Sequence, residues 1–153
     1  MNEKTQILIV EDSEITLYKI KAILIRLGYA VSAHERPSSA LEWLATTQNV
    51  PDLIISDVVM PGMDGYSFVK QLRASSKTAK VPVIMLTSQT DLKDKVAGLE
   101  AGADDFISKT VSPDELELRV KALLTRSQEK NLSISQSYSK VYTVFSLRGG
   151  VGT

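Results

Sequence analysis

Five short strand-like runs, each followed by a segment of helical periodicity, constrain this chain more than any other feature. The runs are Ile7–Val10, Tyr29–Ala33, Leu53–Ser56, Val83–Leu86 and Asp105–Ser108. Apolar runs of this length bounded by turn signals suit buried parallel strands. Between the first two, Leu17, Ile20, Leu24 and Leu27 recur at helical spacing. Ser13 is placed to cap that helix at its start and Gly28 to end it. Ser38 or Ser39 opens a second helix carrying Leu41, Leu44 and Ala45, and a third, from about Gly65 to Ala74, buries Phe68, Val69 and Leu72. A fourth runs from about Asp91 to Ala101 with Leu92, Val96 and Leu99 on one face. A fifth starts at Pro113 and buries Leu116, Val120, Leu123 and Leu124. Strictly alternating strands and helices make an α/β protein, a doubly wound five-stranded parallel sheet with right-handed crossovers. The first, third and fourth runs are the most apolar, so the expected strand order is 2-1-3-4-5.

The chain has 153 residues, enough for one domain and little more. Lys+Arg and Asp+Glu both number 18, which does not support a broad basic surface for nucleic acid and leaves only a local patch open. No apolar run approaches the roughly 20 residues of a membrane span, and Met1 to Gln6 is too polar and short for a signal peptide. With no cysteine, disulfides and thiolate metal sites are excluded, which fits a cytoplasmic location. A single histidine, His34, rules out a multi-histidine metal site and reads as a solvent-facing loop residue, while Trp43 reads as helix packing.

The polar residues at the strand ends carry the chemistry. Glu11 and Asp12 follow the first run, Asp57 the third, Thr87 the fourth and Lys109 the fifth. Parallel strands bring their carboxyl ends to one edge, where open α/β sheets bind ligands. Three carboxylates gathered there repel one another and call for a hard cation with oxygen ligands, which suits Mg²⁺. Asp12 and Asp57 are the expected direct ligands; Glu11 could act through water, and a carbonyl near Val59 could add another oxygen. Asp57, at the head of a loop shaped by Pro61, Gly62 and Gly65, would then be free to attack phosphorus. The Thr87 hydroxyl and the Lys109 ammonium would each hold a phosphoryl oxygen.

These residues, in this order, resemble the receiver domain of two-component response regulators. The likeness covers about Gln6 to Arg126. It rests on Glu11-Asp12, Asp57 with Met60-Pro61-Gly62-Met63-Asp64-Gly65, Leu86-Thr87-Ser88, and Gly102-Ala103-Asp104-Asp105-Phe106-Ile107-Ser108-Lys109. The resemblance implies a flavodoxin-like (CheY-like) fold and a phosphorelay function. Asp57 would take a phosphoryl group from a sensor histidine kinase, and Thr87 and Phe106 would act as switch residues. It also implies no enzyme beyond self-phosphorylation and slow self-dephosphorylation. One departure stands out: the family has a proline in a cis peptide after the lysine, and here Thr110 follows Lys109. A cis bond to a non-proline residue costs about 2.5–4 kcal/mol, so a trans peptide and a displaced Lys109 are the alternative. The charged residues Lys95, Asp104, Asp105, Glu115, Arg119 and Arg126 resemble the helix 4–strand 5–helix 5 dimer face of winged-helix regulators. A homodimer with Lys95–Glu115 and Asp105–Arg119 contacts is expected from them.

Residues 127–140 are rich in Ser, Gln, Asn and Lys and read as a linker after a receiver domain at 1–126. The segment 141–153, a strand pattern followed by Arg148-Gly149-Gly150-Val151-Gly152-Thr153, resembles the start of a ParA/MinD-type ATPase as found in pilus-assembly proteins. Two other functions compete. One is a non-phosphorylated pseudo-receiver serving as a dimerisation or localisation scaffold for such an ATPase. The other is a phosphatase or phosphomutase with an aspartyl-phosphate intermediate, which resembles an Asp-x-Asp pattern; Val59 stands where the second Asp would be.

Overall fold

The computed structural model describes the backbone of residues 4–88 and 92–140, and the side chains of residues 4–88 and 96–127. The elements alternate in chain order: β1 Gln6–Val10, α1 Glu14–Arg26, β2 Ala30–His34, α2 Pro37–Thr46, β3 Leu53–Asp57, α3 Gly65–Ala74, β4 Val83–Thr87, α4 Leu92–Ala101, β5 Asp105–Ser108 and α5 Pro113–Lys140. The five strands form one sheet in the order β2-β1-β3-β4-β5, with every pairing parallel.

The two-residue period of the strands divides the core in two. Leu8, Val10, Ile54, Val83, Met85 and Phe106 point to one face, under α2, α3 and the end of α4, where Leu44, Phe68, Val69, Leu72 and Ala101 pack. Ile7, Ile9, Leu53, Ile55, Ile84, Leu86 and Ile107 point to the other, under Ile20, Ile23 and Leu24 of α1 and Leu116, Val120 and Leu123 of α5. Both faces being covered explains why the central strands are apolar without alternation. α1 opens as expected, with the Ser13 hydroxyl accepting the Thr16 N–H, and closes at Gly28, whose φ of 97° suits glycine.

Three readings of the sequence need correction. α2 starts at Pro37 with Arg36 in the N-cap position and no side-chain cap. The proline's fixed φ and missing N–H favour the first helical position, so Ser38 and Ser39 fall inside the first turn. Residues 127–140, read as a composition-biased linker, are helical: α5 runs through them to Lys140. No proline or glycine interrupts the chain from Asp114 to Lys140, and helix propagation is cheap once nucleated. His34 is the last residue of β2 rather than a solvent-facing loop residue. It is partly buried, its Nδ1 lies 2.7 Å from Ser39 Oγ, and its ring centroid is 5.7 Å from that of Trp43. The Lys109–Thr110 peptide, which the sequence leaves open between cis and trans, is trans; no cis peptide occurs among the described residues. The ATPase-like segment 141–153 lies outside the described residues.

Candidate functional site

Strand register builds the site. Val10 pairs with Ser56, Asp57 with Leu86, and Thr87 with Ser108. The strands therefore end almost level, and Glu11, Asp57, Thr87 and Lys109 emerge side by side at one edge. Backbone bonds extend the register past the strands: Val58 N–H donates to Leu86 O at 3.1 Å, and Lys109 N–H to Thr87 O at 2.9 Å. Two close packings fix the loop after β3. Gly65 N–H donates to Val58 O at 2.7 Å, and a Cβ at Gly65 would overlap the Asp57 carbonyl and the tip of Met85.

The carboxylates of Glu11, Asp12 and Asp57 bring one oxygen each within 4.8 Å of one another. Asp57 is 2% exposed and Glu11 fully buried, while Asp12 faces solvent. Lys109 Nζ bridges the buried pair, 3.0 Å from Asp57 Oδ2 and 3.2 Å from Glu11 Oε2. The trans peptide at Thr110 thus does not displace Lys109 from the site. Val59 is 76% exposed, and its N–H donates to Asp57 Oδ1 at 3.4 Å. The Val59 side chain brings no acid or base to the position where an Asp-x-Asp phosphatase needs one.

The electrostatics are out of balance. Three carboxylates face one ammonium. Burial pushes the Glu11 carboxyl up to about 7; the Ser13 N–H opposes this, the charge of Asp57 adds to it, and Lys109 opposes it. Its Oε2 accepts the Ser13 N–H at 3.0 Å, yet its Oε1 is buried with no donor. Burial works against the Lys109 ammonium, but the hydrogen bonds and charges of Asp57 and Glu11 outweigh it and raise its pKa. A buried carboxylate oxygen without a donor costs several kcal/mol if charged. An all-oxygen set with two uncompensated charges fits a hard divalent cation.

Thr87 is buried at the end of β4. Phe106 is 7% exposed, with its ring turned into the core beside Met85. Gly98 of α4 makes room for that ring, since a Cβ there would overlap it. The expected dimer face divides. Asp105 and Glu115 both pair with Arg119 inside one chain, at 2.8 and 3.2 Å, so the expected Asp105–Arg119 contact is already satisfied without a partner. Asp104 leaves the group: it binds Arg73 at 3.0 Å and the Val83 N–H at 2.8 Å at the opposite sheet edge. Arg126 is exposed, and the Lys95 side chain lies outside the described ones.

Sequence reading missed Gly98 and Lys19. A glycine in the middle of a helical pattern signals a close approach, so Gly98 could have been flagged. Lys19, whose Nζ meets the Lys109 carbonyl at 3.3 Å, gives no signal across a separation of 90 residues.

Comparison with known proteins agrees with this geometry. The family model for the response regulator receiver domain matches residues 7–121. The alkaline phosphatase synthesis transcriptional regulatory protein PhoP of Bacillus subtilis is 42% identical over 128 residues, covering 84% of this chain and 51% of that protein. The chain thus spans about half the length of the curated relatives it matches. The signal receiver domain of a signal transduction histidine kinase from Syntrophus aciditrophicus superposes with a TM-score of 0.72 at 43% identity, covering 79% of this chain and 90% of that one. The receiver domain of a sensor histidine kinase from Pseudomonas aeruginosa PAO1, solved with magnesium in its active site cleft, superposes with a TM-score of 0.73 at 29% identity, covering 80% and 99%. On the family match and these likenesses together, this chain belongs to the response regulator receiver domains of two-component signalling.

Proposed function

We propose that this chain is a phosphorylatable receiver in which Asp57 accepts a phosphoryl group from a phosphohistidine of a sensor histidine kinase. The phosphorus–nitrogen bond breaks as a bond to an Asp57 carboxylate oxygen forms, giving an acyl phosphate. The observation that carries this reading is the bridge from Lys109 to Asp57 and Glu11 beside the orphaned Glu11 Oε1. A bound Mg²⁺, held by Glu11, Asp12 and Asp57 with the Val59 carbonyl as a further oxygen donor, would supply the positive charge that this cluster lacks. Lys109 keeps a donor directed at the site where phosphoryl charge develops, and the Thr87 hydroxyl at the adjacent strand end offers a second.

The chemistry is confined to Asp57 itself, with slow hydrolysis of its own acyl phosphate. Ile15 and Tyr18 of α1, the helix that follows Asp12, are 84% and 75% exposed, and Val59, two residues after Asp57, is 76% exposed. These apolar side chains are placed to meet the kinase. The output passes through Thr87 and Phe106 to α4, β5 and α5, the elements that carry the exposed Val96, Leu99 and Leu118 and the Asp105–Arg119–Glu115 cluster. A homodimer through this face would bury those apolar residues while the internal ion pairs stay formed.

Incubation with acetyl phosphate and Mg²⁺, read by intact mass, tests the reading. The chain is expected to gain one phosphoryl group, and Asp57→Asn none. No gain by the unaltered chain would favour a non-phosphorylated scaffold, including one that serves a ParA/MinD-type ATPase. Steady hydrolysis of p-nitrophenyl phosphate would favour an enzyme.

A further inference from the structure

Lys109 must reach Asp57 from a loop that starts where β5 ends, and in this chain no proline stiffens that loop. Five other hydrogen bonds hold it. Lys109 N–H donates to Thr87 O at 2.9 Å. The Thr110 N–H donates to Ser108 Oγ at 3.1 Å, and the two hydroxyls lie 2.8 Å apart. Val111 N–H returns to Ser108 O at 3.0 Å. The fifth comes from another layer: Lys19 Nζ of α1 donates to the Lys109 carbonyl at 3.3 Å.

The Lys109 N–H bond also ties the loop to the body of the molecule, at β4; the Lys19 bond adds a side-chain ammonium from α1. It is charge-assisted, and such bonds are roughly twice as strong as neutral ones. It is long-range, tying the loop to a helix whose residues Ile20, Ile23 and Leu24 are packed in the core. It also acts on the very residue whose side chain must be aimed, because fixing the Lys109 carbonyl fixes the peptide plane from which its side chain departs. The Ser108–Thr110 turn closes the loop on itself but does not tie it to the rest of the molecule. We propose that Lys19 is a positioning residue for Lys109: its ammonium holds the Lys109 carbonyl against α1, so that the Lys109 side chain spans to Asp57 and Glu11 across a trans peptide. The proposal rests on the receiver reading above only where it predicts a phosphorylation effect.

The test separates the two. Lys19→Met removes charge and donor, Lys19→Gln keeps a donor, and Lys19→Arg keeps both. Amide hydrogen exchange at Lys109 and Thr110 reads loop positioning without phosphate or metal. It should quicken by about tenfold in Lys19→Met and return toward the parent rate in Lys19→Arg, with β4 amides unchanged. Affinity for beryllofluoride, a phosphoryl mimic, should fall by about tenfold in Lys19→Met while Mg²⁺ affinity holds, since Lys109 faces the phosphoryl group and not the metal. Adding Lys19→Met to Lys109→Met should cost nothing further. Unchanged exchange at the two amides overturns the proposal. So does an equal loss in Lys19→Gln and Lys19→Met, which would mean long-range charge, or a full extra loss in the double variant. Failure of the parent chain to take up acetyl phosphate or beryllofluoride would sink the receiver reading, and the exchange rates would still decide the role of Lys19.

Discussion

The two edges of the sheet handle charge in opposite ways. At the amino-terminal edge Arg73, Asp104, Asp52 and Lys77 each meet a fixed partner. Arg73 donates to the carbonyls of Gly102, Thr78, Ala79 and Val81 and to Asp104. Asp104 also accepts the Val83 N–H, and Asp52 accepts the Gln6 N–H. Lys77 donates to the Leu44 and Thr47 carbonyls at the end of α2, at 2.6 Å each. The carboxyl-terminal edge gathers Glu11, Asp12 and Asp57 around one lysine and leaves Glu11 Oε1 without a donor. Fully satisfied polar networks rigidify a fold, and partly satisfied ones mark places where something else must bind. In this molecule the first kind of edge stabilises the fold and the second is where its chemistry is expected.

If that contrast holds, substitutions at the two edges should separate stability from chemistry. The largest stability effect is expected from Arg73→Ala, which strips donors from four carbonyls and from Asp104. It should cost about 3 kcal/mol in urea unfolding, while the phosphorylation rate per folded molecule stays unchanged. A fall in that rate would break the comparison.

The next effect is in pH. The Glu11 carboxyl is pushed up from 4.5 to about 7 in the folded chain, so the native state holds this proton more tightly than the unfolded state. The stability it contributes is fully present below the unfolded value of 4.5 and is lost as pH rises through about 7. Metal-free stability should therefore decline across that window, by on the order of 2 kcal/mol, and the decline should vanish in Glu11→Gln. Mg²⁺ binding, followed by calorimetry in buffers of differing ionisation heat, should release a proton and tighten as pH rises toward 7.

A smaller loss is expected where packing alone is at stake. Gly98→Ala would crowd the Phe106 ring. Overpacking, partly offset by alanine's better helix propensity, should cost about 1–2 kcal/mol and move the ring outward, visible as changed aromatic shifts in NMR. The smallest effect should be a gain. Asp12→Asn removes one of three crowded negative charges and should raise metal-free stability by up to about 1 kcal/mol. The same variant should lose the stabilisation that Mg²⁺ gives the parent.

Strand order and most helix bounds were legible because strand and helix periods are written in the apolar residues. α3 ran from Gly65 to Ala74 as read, since the Asp64 side chain caps it by accepting the Ser67 N–H. Glu11, Asp57, Thr87 and Lys109 were also legible as neighbours, because parallel topology forces strand ends together. What escaped were features that depend on side-chain reach. Asp104 and Asp105 are adjacent in sequence, yet one turns to Arg73 and the other to Arg119. Composition suggested a linker at 127–140, but composition carries no helix stop, and α5 continues. Around the trans peptide, Lys109 bonds to the Thr87 carbonyl and to Lys19, contacts across separations that no local pattern encodes.

The central claim is that the unbalanced edge exists to carry a phosphoryl group on Asp57. Borohydride reduces an acyl phosphate to an alcohol, so treating the acetyl-phosphate-labelled chain with it and mapping peptides by mass locates the modified carboxylate. The account predicts homoserine at position 57, dependent on Mg²⁺ and absent from Lys109→Met. Reduction at another carboxylate, or at none while Mg²⁺ is bound, would contradict it.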